Sequence, residues 1–74
     1  MKIYVEELKD ANGDLRYYMP LTNYESNIIP RRGESLFFVH FGLFVVTDII
    51  YRISDDSDDN KCMWIEIRVE KVFE

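Results

Sequence analysis

The sequence predicts an all-β fold, a small five-stranded antiparallel barrel with an N-terminal hairpin. Two observations support this most directly: the Asn12-Gly13 turn signal between two strand-like segments, and the apolar–polar alternation of residues 63–69. No segment shows helical periodicity over more than a turn or two. We therefore expect residues 1–74 to form a single small domain.

The first two strands are predicted on either side of this turn. Residues 2–8 begin with β-branched and aromatic side chains, and residues 15–21 alternate between two faces. Asn-Gly suits a type I′ turn because both central positions need a positive φ angle. Pro20 has no N–H group and therefore marks an edge strand or the end of a strand. Residues 22–27 are polar without a sustained period, so we expect a loop there, with one helical turn as the alternative.

The next two strands follow a turn that contains proline and glycine. Pro30 fixes its own φ angle, and Gly33, three residues later, accepts a left-handed conformation. Residues 35–40 and 43–53 are rich in Phe, Val and Ile and are predicted strands, joined at Phe41-Gly42. Both faces of the longer strand are apolar around Asp48, so either both faces are buried or a β-bulge shifts the register there, and we favour the bulge.

The last strand follows a polar loop at residues 54–60 and alternates cleanly. The side chains expected to face inwards are Met63, Ile65, Ile67 and Val69, and those expected to face outwards are Trp64, Glu66, Arg68 and Glu70. Five short, twisted strands around one small core close most readily into an SH3-like or OB-like barrel, which also hides the strand edges.

The composition indicates a folded domain with exposed rings. The chain is 47% hydrophobic and 15% aromatic, which is too apolar for a disordered segment. A chain of this length buries only about 60% of the surface that its unfolded form exposes, so some rings should stay exposed. Exposed rings on a small domain are typical of a binding face or a subunit contact. We therefore expect a homo-oligomer or a complex with a partner protein.

The formal net charge of −5 disfavours direct binding of nucleic acid, which needs a basic patch. An acidic surface is instead attracted to basic grooves of partner proteins, and one loop concentrates four aspartates: Asp55, Asp56, Asp58 and Asp59. No apolar stretch approaches the ~20 residues of a membrane span, and acidic residues come too early for a signal peptide. With Cys62 as the single cysteine, a reducing cytoplasm is the expected compartment.

The sequence offers one pair that could act as nucleophile and base, Cys62 and His40. Both lie in apolar sequence at predicted strand ends, and nothing supplies an oxyanion hole or a glycine-rich approach to them. We therefore expect no enzymatic activity, no catalytic residue and no cofactor.

The acidic loop partly matches the spacing of a calcium-binding EF-hand loop. Asp55, Ser57 and Asp59 hold alternate positions, and Glu66 follows Asp55 by eleven residues. The match fails at the sixth position, which is Asn60 instead of glycine, and no flanking helices are predicted. A solvated loop that binds no metal ion is the preferred interpretation.

Arginine side chains provide a further candidate site. Guanidinium groups bind phosphate through paired hydrogen bonds, and aromatic neighbours can stack a base. A barrel could bring together the residues of such an anion pocket: Arg31, Arg32, Arg52 and Arg68, with Tyr51 and Trp64 beside them. The competing interpretation is that these arginines offset nearby Glu and Asp on exposed strand faces. No P-loop, Rossmann glycine pattern or RNA-binding aromatic signature accompanies them.

A family resemblance covers residues 28–72. It is carried by Ile29-Pro30-Arg31-Arg32-Gly33-Glu34 before a strand, by Phe44-Val45-Val46 with Ile49-Ile50-Tyr51, by the acidic loop, and by Ile65-Glu66-Ile67-Arg68-Val69-Glu70. This stretch resembles the small SH3-like barrel proteins of phages and bacterial mobile elements. The resemblance implies a short accessory protein that acts on a host component, and it transfers no functional residues.

Two functions remain open from the sequence. The first is a non-enzymatic protein-binding module, a phage or mobile-element accessory protein in the cytoplasm of a bacterial host. It would bind and inhibit a host protein, for example a defence component, through its aspartates and exposed rings. The second is an oligomeric sponge that sequesters a nucleotide-type anion without turning it over.

Overall fold

The structure, a computed structural model, describes residues 1–11, 15–56 and 61–72. These residues form strands and connecting turns without a helix, so the predicted all-β class is confirmed. The Asn12-Gly13 turn lies outside the described residues, but the strands on either side of it pair as predicted. The strands are β1 (Lys2–Ala11), β2 (Leu15–Glu25), β3 (Ser35–Phe38), β4 (Gly42–Ser54) and β5 (Lys61–Lys71).

The five strands form one sheet in the order β2-β1-β5-β4-β3, curled into a half-barrel that is consistent with a small SH3-like or OB-like barrel. The N-terminal hairpin belongs to this sheet. Three pairings are antiparallel, but β1 and β5 run parallel, with Ile3 opposite Ile65. The sheet is therefore mixed, which corrects the expectation of a purely antiparallel one. Local turn signals predict hairpins, and none of them reports on the pairing of the first strand with the last.

Strand β2 continues beyond the point where the sequence predicts a loop. Thr22 and Tyr24 lie in the strand and pair with Val5 and Ile3 of β1. A register shift between Val5 and Glu6 leaves Leu21 as an extra residue, which lets the strand continue past Pro20. The prediction of a loop from residue 22 is wrong because an edge strand tolerates polar side chains on its solvated face.

The bulge predicted near Asp48 is present. The register between β4 and β5 shifts between Val46 and Asp48, so Thr47 is the extra residue. Its hydroxyl group donates a hydrogen bond to the carbonyl oxygen of Arg68 at 3.2 Å. The shift keeps Val46 buried before the bulge and packs Ile49 against the core after it.

A second bulge overturns one prediction for β5. The register shifts again between Arg52 and Ile53, which leaves Met63 without a partner in β4. Met63 is 56% exposed, whereas Cys62 packs against the core. The prediction that Met63 faces inwards is wrong because the extra residue inverts the alternation at this end of the strand.

Glycines shape both turns that flank β3. Gly33 has φ +88° and so adopts the predicted left-handed conformation, and Gly42 has φ +104° at the start of β4. The amide of Phe41 donates to the carbonyl oxygen of Phe38 at 2.9 Å, which closes the turn between β3 and β4. Strand β3 therefore ends at Phe38, two residues before the predicted end at His40.

The core lies on the concave face of the sheet and is formed by side chains of β1, β4 and β5. Its fully buried side chains are Ile3, Val5, Phe44, Val46, Ile65, Ile67 and Val69. Tyr24 and Phe38 meet edge to face across the two edge strands, with ring centroids 6.2 Å apart. Because the core is this small, each member contributes a large share of the stability of the domain.

Replacing one central core residue should therefore destabilise the domain strongly. Ile67 is fully buried in the central strand, so we expect Ile67→Ala to lower the free energy of unfolding by about 2–5 kcal/mol. The measurement is urea denaturation followed by Trp64 fluorescence and circular dichroism. Met63→Ala on the same strand is the matched control and should cost less than about 1 kcal/mol, the usual effect of an exposed truncation. Equal costs at the two positions would contradict the observed alternation.

Candidate functional site

The parallel pairing of β1 with β5 brings two aromatic rings together on the convex face of the sheet. Tyr4 pairs with Glu66, and Trp64 lies two residues earlier on β5. The rings of Tyr4 and Trp64 meet edge to face, with centroids 6.3 Å apart and an interplanar angle of 78°. This geometry is a favoured one for aromatic pairs and holds both rings at the surface.

Glu66 is the polar centre of this surface. Its Oε2 accepts hydrogen bonds from Nε of Arg52 at 2.7 Å and from the indole N–H of Trp64 at 2.9 Å. Its Oε1 accepts from Nη2 of Arg52 at 3.0 Å, so the arginine binds the carboxylate through both oxygens. These bonds, first those from Arg52 and then that from Trp64, lower the pKa of Glu66 to about 2. The carboxylate is therefore ionised at neutral pH, and it fixes the orientation of the indole.

Glu6 adds a second carboxylate beside the ion pair of Arg52 and Glu66. It follows Tyr4 by two residues on β1 and therefore lies on the same face of the sheet. The pKa of Arg52 is raised, mainly by its hydrogen bond to Glu66 and in smaller part by the charge of Glu6. We refer to Tyr4, Glu6, Arg52, Trp64 and Glu66 as the Trp64 cluster.

The Trp64 cluster borders a cleft of about 580 Å³. Its β1 and β5 members Tyr4, Glu6, Trp64 and Glu66 line one side, and β2 provides Pro20, Leu21, Thr22 and Asn23 on the other. The Leu21 bulge and the proline lie at this point of β2, where the two strands shift register. The cleft therefore combines ring surfaces with carboxylates.

A bound cation would suit such a cleft. The faces of aromatic rings attract Lys and Arg side chains, and carboxylates add ion pairing. Within the chain itself, Nζ of Lys2 lies 5.9 Å from the centre of the Tyr4 ring. Tyr4 thus already accepts an ammonium group on its surface.

No protein-family model, no curated protein and no solved structure matches this chain. No helix within the described ranges is long and apolar enough to cross a membrane.

The structure unites some of the predicted site residues and separates others. Trp64 and Arg52 belong to one cluster through Glu66. Tyr51 pairs with Ile65, whereas Arg52 pairs with Trp64. Directly opposed residues share a face of the sheet, so Tyr51 and Trp64 lie on opposite faces. The two rings therefore cannot stack on the same nucleotide base.

The four arginines do not form one pocket. Arg52 is bound to Glu66, while Arg68 stacks over the Tyr18 ring at 4.2 Å and lies 4.0 Å from Asp48. Arg32 donates from Nε to the carbonyl oxygen of Thr47 at 3.1 Å, which places it near Arg68 at the Thr47 bulge. Arg31 is exposed, and its backbone amide bonds to the side chain of Glu34. Two of the arginines therefore contact carboxylates, as the competing interpretation expects.

The acidic loop lies only in part within the described chain. Asp55 and Asp56 are exposed immediately after β4, whereas Ser57, Asp58, Asp59 and Asn60 lie outside the described residues. Glu66, the last position of the calcium-loop pattern, binds Arg52 and Trp64 instead. In the described ranges, no group of three or more His, Cys, Asp and Glu side chains is arranged to hold a metal ion.

His40 and Cys62 lie at opposite ends of the sheet. His40 is exposed in the turn before Gly42, and Cys62 pairs with Ile53 near the other end of β4. Most of the length of β4 therefore separates them, and they do not form a nucleophile–base pair.

Tyr4 and Glu6 are the members of the Trp64 cluster that the sequence does not single out, and Glu66 is named from the sequence only as the last position of the calcium-loop pattern. Trp64 and Glu66 share a face of β5, a relation that alternation alone predicts. Tyr4 and Glu6 join them only through the parallel β1–β5 pairing, for which the sequence carries no local signal.

The lowered pKa of Glu66 predicts how stability depends on pH. Its pKa falls from the usual 4.5 to about 2 in the folded chain, so its stabilising contribution is present above pH 4.5 and lost as the pH falls towards 2. We expect Glu66→Gln to lower the free energy of unfolding by about 1–2 kcal/mol at pH 7. The difference from wild type should shrink below pH 4.5 and disappear near pH 2.

The measurement is urea denaturation of both proteins at each pH, because other titrating groups then cancel in the difference. Glu70→Gln is the control, since Glu70 is exposed on the same strand. A difference for Glu66→Gln that stays constant down to pH 2, or an equal effect of Glu70→Gln, would contradict the assigned ion pair.

Proposed function

We propose that this protein is a non-enzymatic binding domain that holds a basic side chain of a partner protein in the cleft beside Trp64. The observation that supports this most is the combination of two rings, Tyr4 and Trp64, with the carboxylates of Glu6 and Glu66 on one cleft. Three cations lie beside these groups: Arg52 binds Glu66, Lys2 lies over the Tyr4 ring, and Arg68 is opposite Glu6 in the β1–β5 register. A basic side chain of a partner would therefore bind Glu6 and Glu66 in competition with these cations.

The charge of the whole chain favours the same kind of partner. The net charge of −5 repels nucleic acid and attracts basic protein surfaces. Asp55 and Asp56 are exposed a few residues beyond Arg52, at the end of β4. Their charge would steer a basic segment towards the cleft and speed its association.

The cleft is organised before any partner arrives. Glu66 is held by three hydrogen bonds, and Trp64 is held by one of them. Fixed groups lose little conformational entropy on binding, which favours affinity. A single cation over an exposed ring contributes only about 0.5–1 kcal/mol, so we expect the partner to present more than one basic residue.

An accessory role of a phage or mobile-element protein is compatible with this mode of binding. We propose that the partner is a bacterial host protein, for example a defence component, and that docking at the cleft blocks it in the host cytoplasm. The support for this finer proposal is the acidic surface together with the resemblance stated above.

A second candidate function rests on Arg68. Its Nε is buried without a hydrogen-bond partner in the described part of the chain, and its guanidinium group lies on the Tyr18 ring. With Arg32 nearby at Thr47, this end of the sheet could hold a nucleotide-type anion. Asp48, 4.0 Å from Arg68, opposes an anion there, and we therefore rank this function second.

The cleft can be tested with short peptides that contain Lys or Arg. We expect these peptides to change Trp64 fluorescence saturably at low salt, and more weakly as salt screens the carboxylates. Glu6→Gln and Tyr4→Leu should each weaken binding about fivefold, because each removes an interaction of about 1 kcal/mol. Glu70→Gln changes the net charge by the same amount as Glu6→Gln and should bind like wild type.

Two results would contradict the proposal that the cleft binds a basic side chain. One is the absence of any fluorescence change with basic peptides, and the other is an equal loss in Glu6→Gln and Glu70→Gln. The finer proposal needs a host protein that is captured from a bacterial lysate by the wild type and lost with Tyr4→Leu. A thermal shift with linear or cyclic nucleotides that Arg68→Ala abolishes would favour the second candidate instead.

A further inference from the structure

The sheet has two edge strands, and they are protected to different degrees. Strand β2 carries Pro20, which offers no N–H group, and the bulge at Leu21. It also carries the charged residues Arg16 and Glu25 near its ends. Prolines, bulges and charges are the usual features that prevent an edge strand from pairing with another chain.

Strand β3 has none of these features. Its residues, Ser35-Leu36-Phe37-Phe38, include no charge and no proline, and its pairing with β4 is regular. The side chain of Phe37 is 69% exposed. The turn that follows adds Val39 and Phe41, which are also exposed, so an apolar surface continues beyond the strand.

The backbone of β3 is also available for pairing. The amide of Val46 donates to the carbonyl oxygen of Glu34 at 2.9 Å. Hydrogen-bonded pairs alternate along an antiparallel ladder, so the peptide groups of Leu36 bond to β4. Those of Ser35 and Phe37 point away from β4, on the side where Tyr24 of β2 contacts Phe38, and can bond to another strand that enters between β3 and β2.

We propose that two copies of this chain pair through β3, antiparallel and related by a two-fold axis near Phe37. With a net charge of −5, most surfaces of the chain repel a second copy. Strand β3 meets itself without placing like charges opposite each other, because it carries none. In this arrangement Phe37 faces Phe37 of the second copy, and the two sheets become one.

This dimer is independent of the function proposed above. Strands β4 and β5 separate β3 from β1 within the sheet, so the rings and carboxylates of both Trp64 clefts lie away from the paired edge, although Thr22 and Asn23 of β2 line both the cleft and the gap beside β3. The dimer would therefore present two clefts. Because a four-residue edge buries little area, we expect a weak, reversible dimer.

Sedimentation velocity over about 5–500 µM protein tests this pairing, since a weak dimer forms in that range. Phe37→Pro removes an outward N–H group without removing a bond to β4, and Phe37→Lys places two like charges opposite each other. We expect the wild type to dimerise, and both variants to raise the dissociation constant at least about tenfold. Met63→Lys, an equal charge change at an exposed position of an interior strand, should dimerise like wild type.

A wild type that stays monomeric over this range would overturn the proposal. A dimer that survives both Phe37→Lys and Phe37→Pro would place the interface elsewhere and would overturn it too. Circular dichroism and thermal unfolding of each variant show whether the fold is retained. If Phe37→Pro unfolds, Phe37→Lys with Met63→Lys as its control decides the outcome.

Discussion

The parallel pairing of β1 with β5 is the constraint on which both the core and the cleft depend. It joins the N-terminal hairpin to the other three strands, and it buries Ile3 and Val5 beside Ile65 and Ile67. The same pairing puts Tyr4 next to Glu66 on the opposite face of the sheet. This contact joins the first strand to the last, so its formation costs loop-closure entropy, which the burial of the core has to offset. The cleft therefore forms only when the core does.

Glu66 serves both the structure and the proposed binding. Its two bonds with Arg52 tie β4 to β5 on the convex face, close to the second bulge of that pairing. Its bond with the indole of Trp64 sets the ring that borders the cleft. The charge that stabilises the sheet is thus also the charge that a basic partner would meet, so acid weakens the fold and the proposed binding together.

Local signals in the sequence predict the local parts of the fold. The strands beside Asn12-Gly13 and the bulge near Asp48 follow from turn chemistry and from apolar side chains on both faces. The parallel pairing and the exposure of Met63 depend on partners far along the chain, and single-strand periodicity is silent about them. For the same reason Trp64 could be named as a site residue from its type, whereas Tyr4 joins the site only through the fold.

The register of β1 against β5 also determines the outline of the molecule. The β1–β2 hairpin projects at one end of the sheet and the β4–β5 hairpin at the other, which gives extents of 47 × 27 × 19 Å. The radius of gyration, 13.8 Å, exceeds the value of about 11 Å for a compact domain of this length. Such a shape raises hydrodynamic drag, so a monomer of 8.9 kDa should elute from gel filtration like a larger, rounder protein.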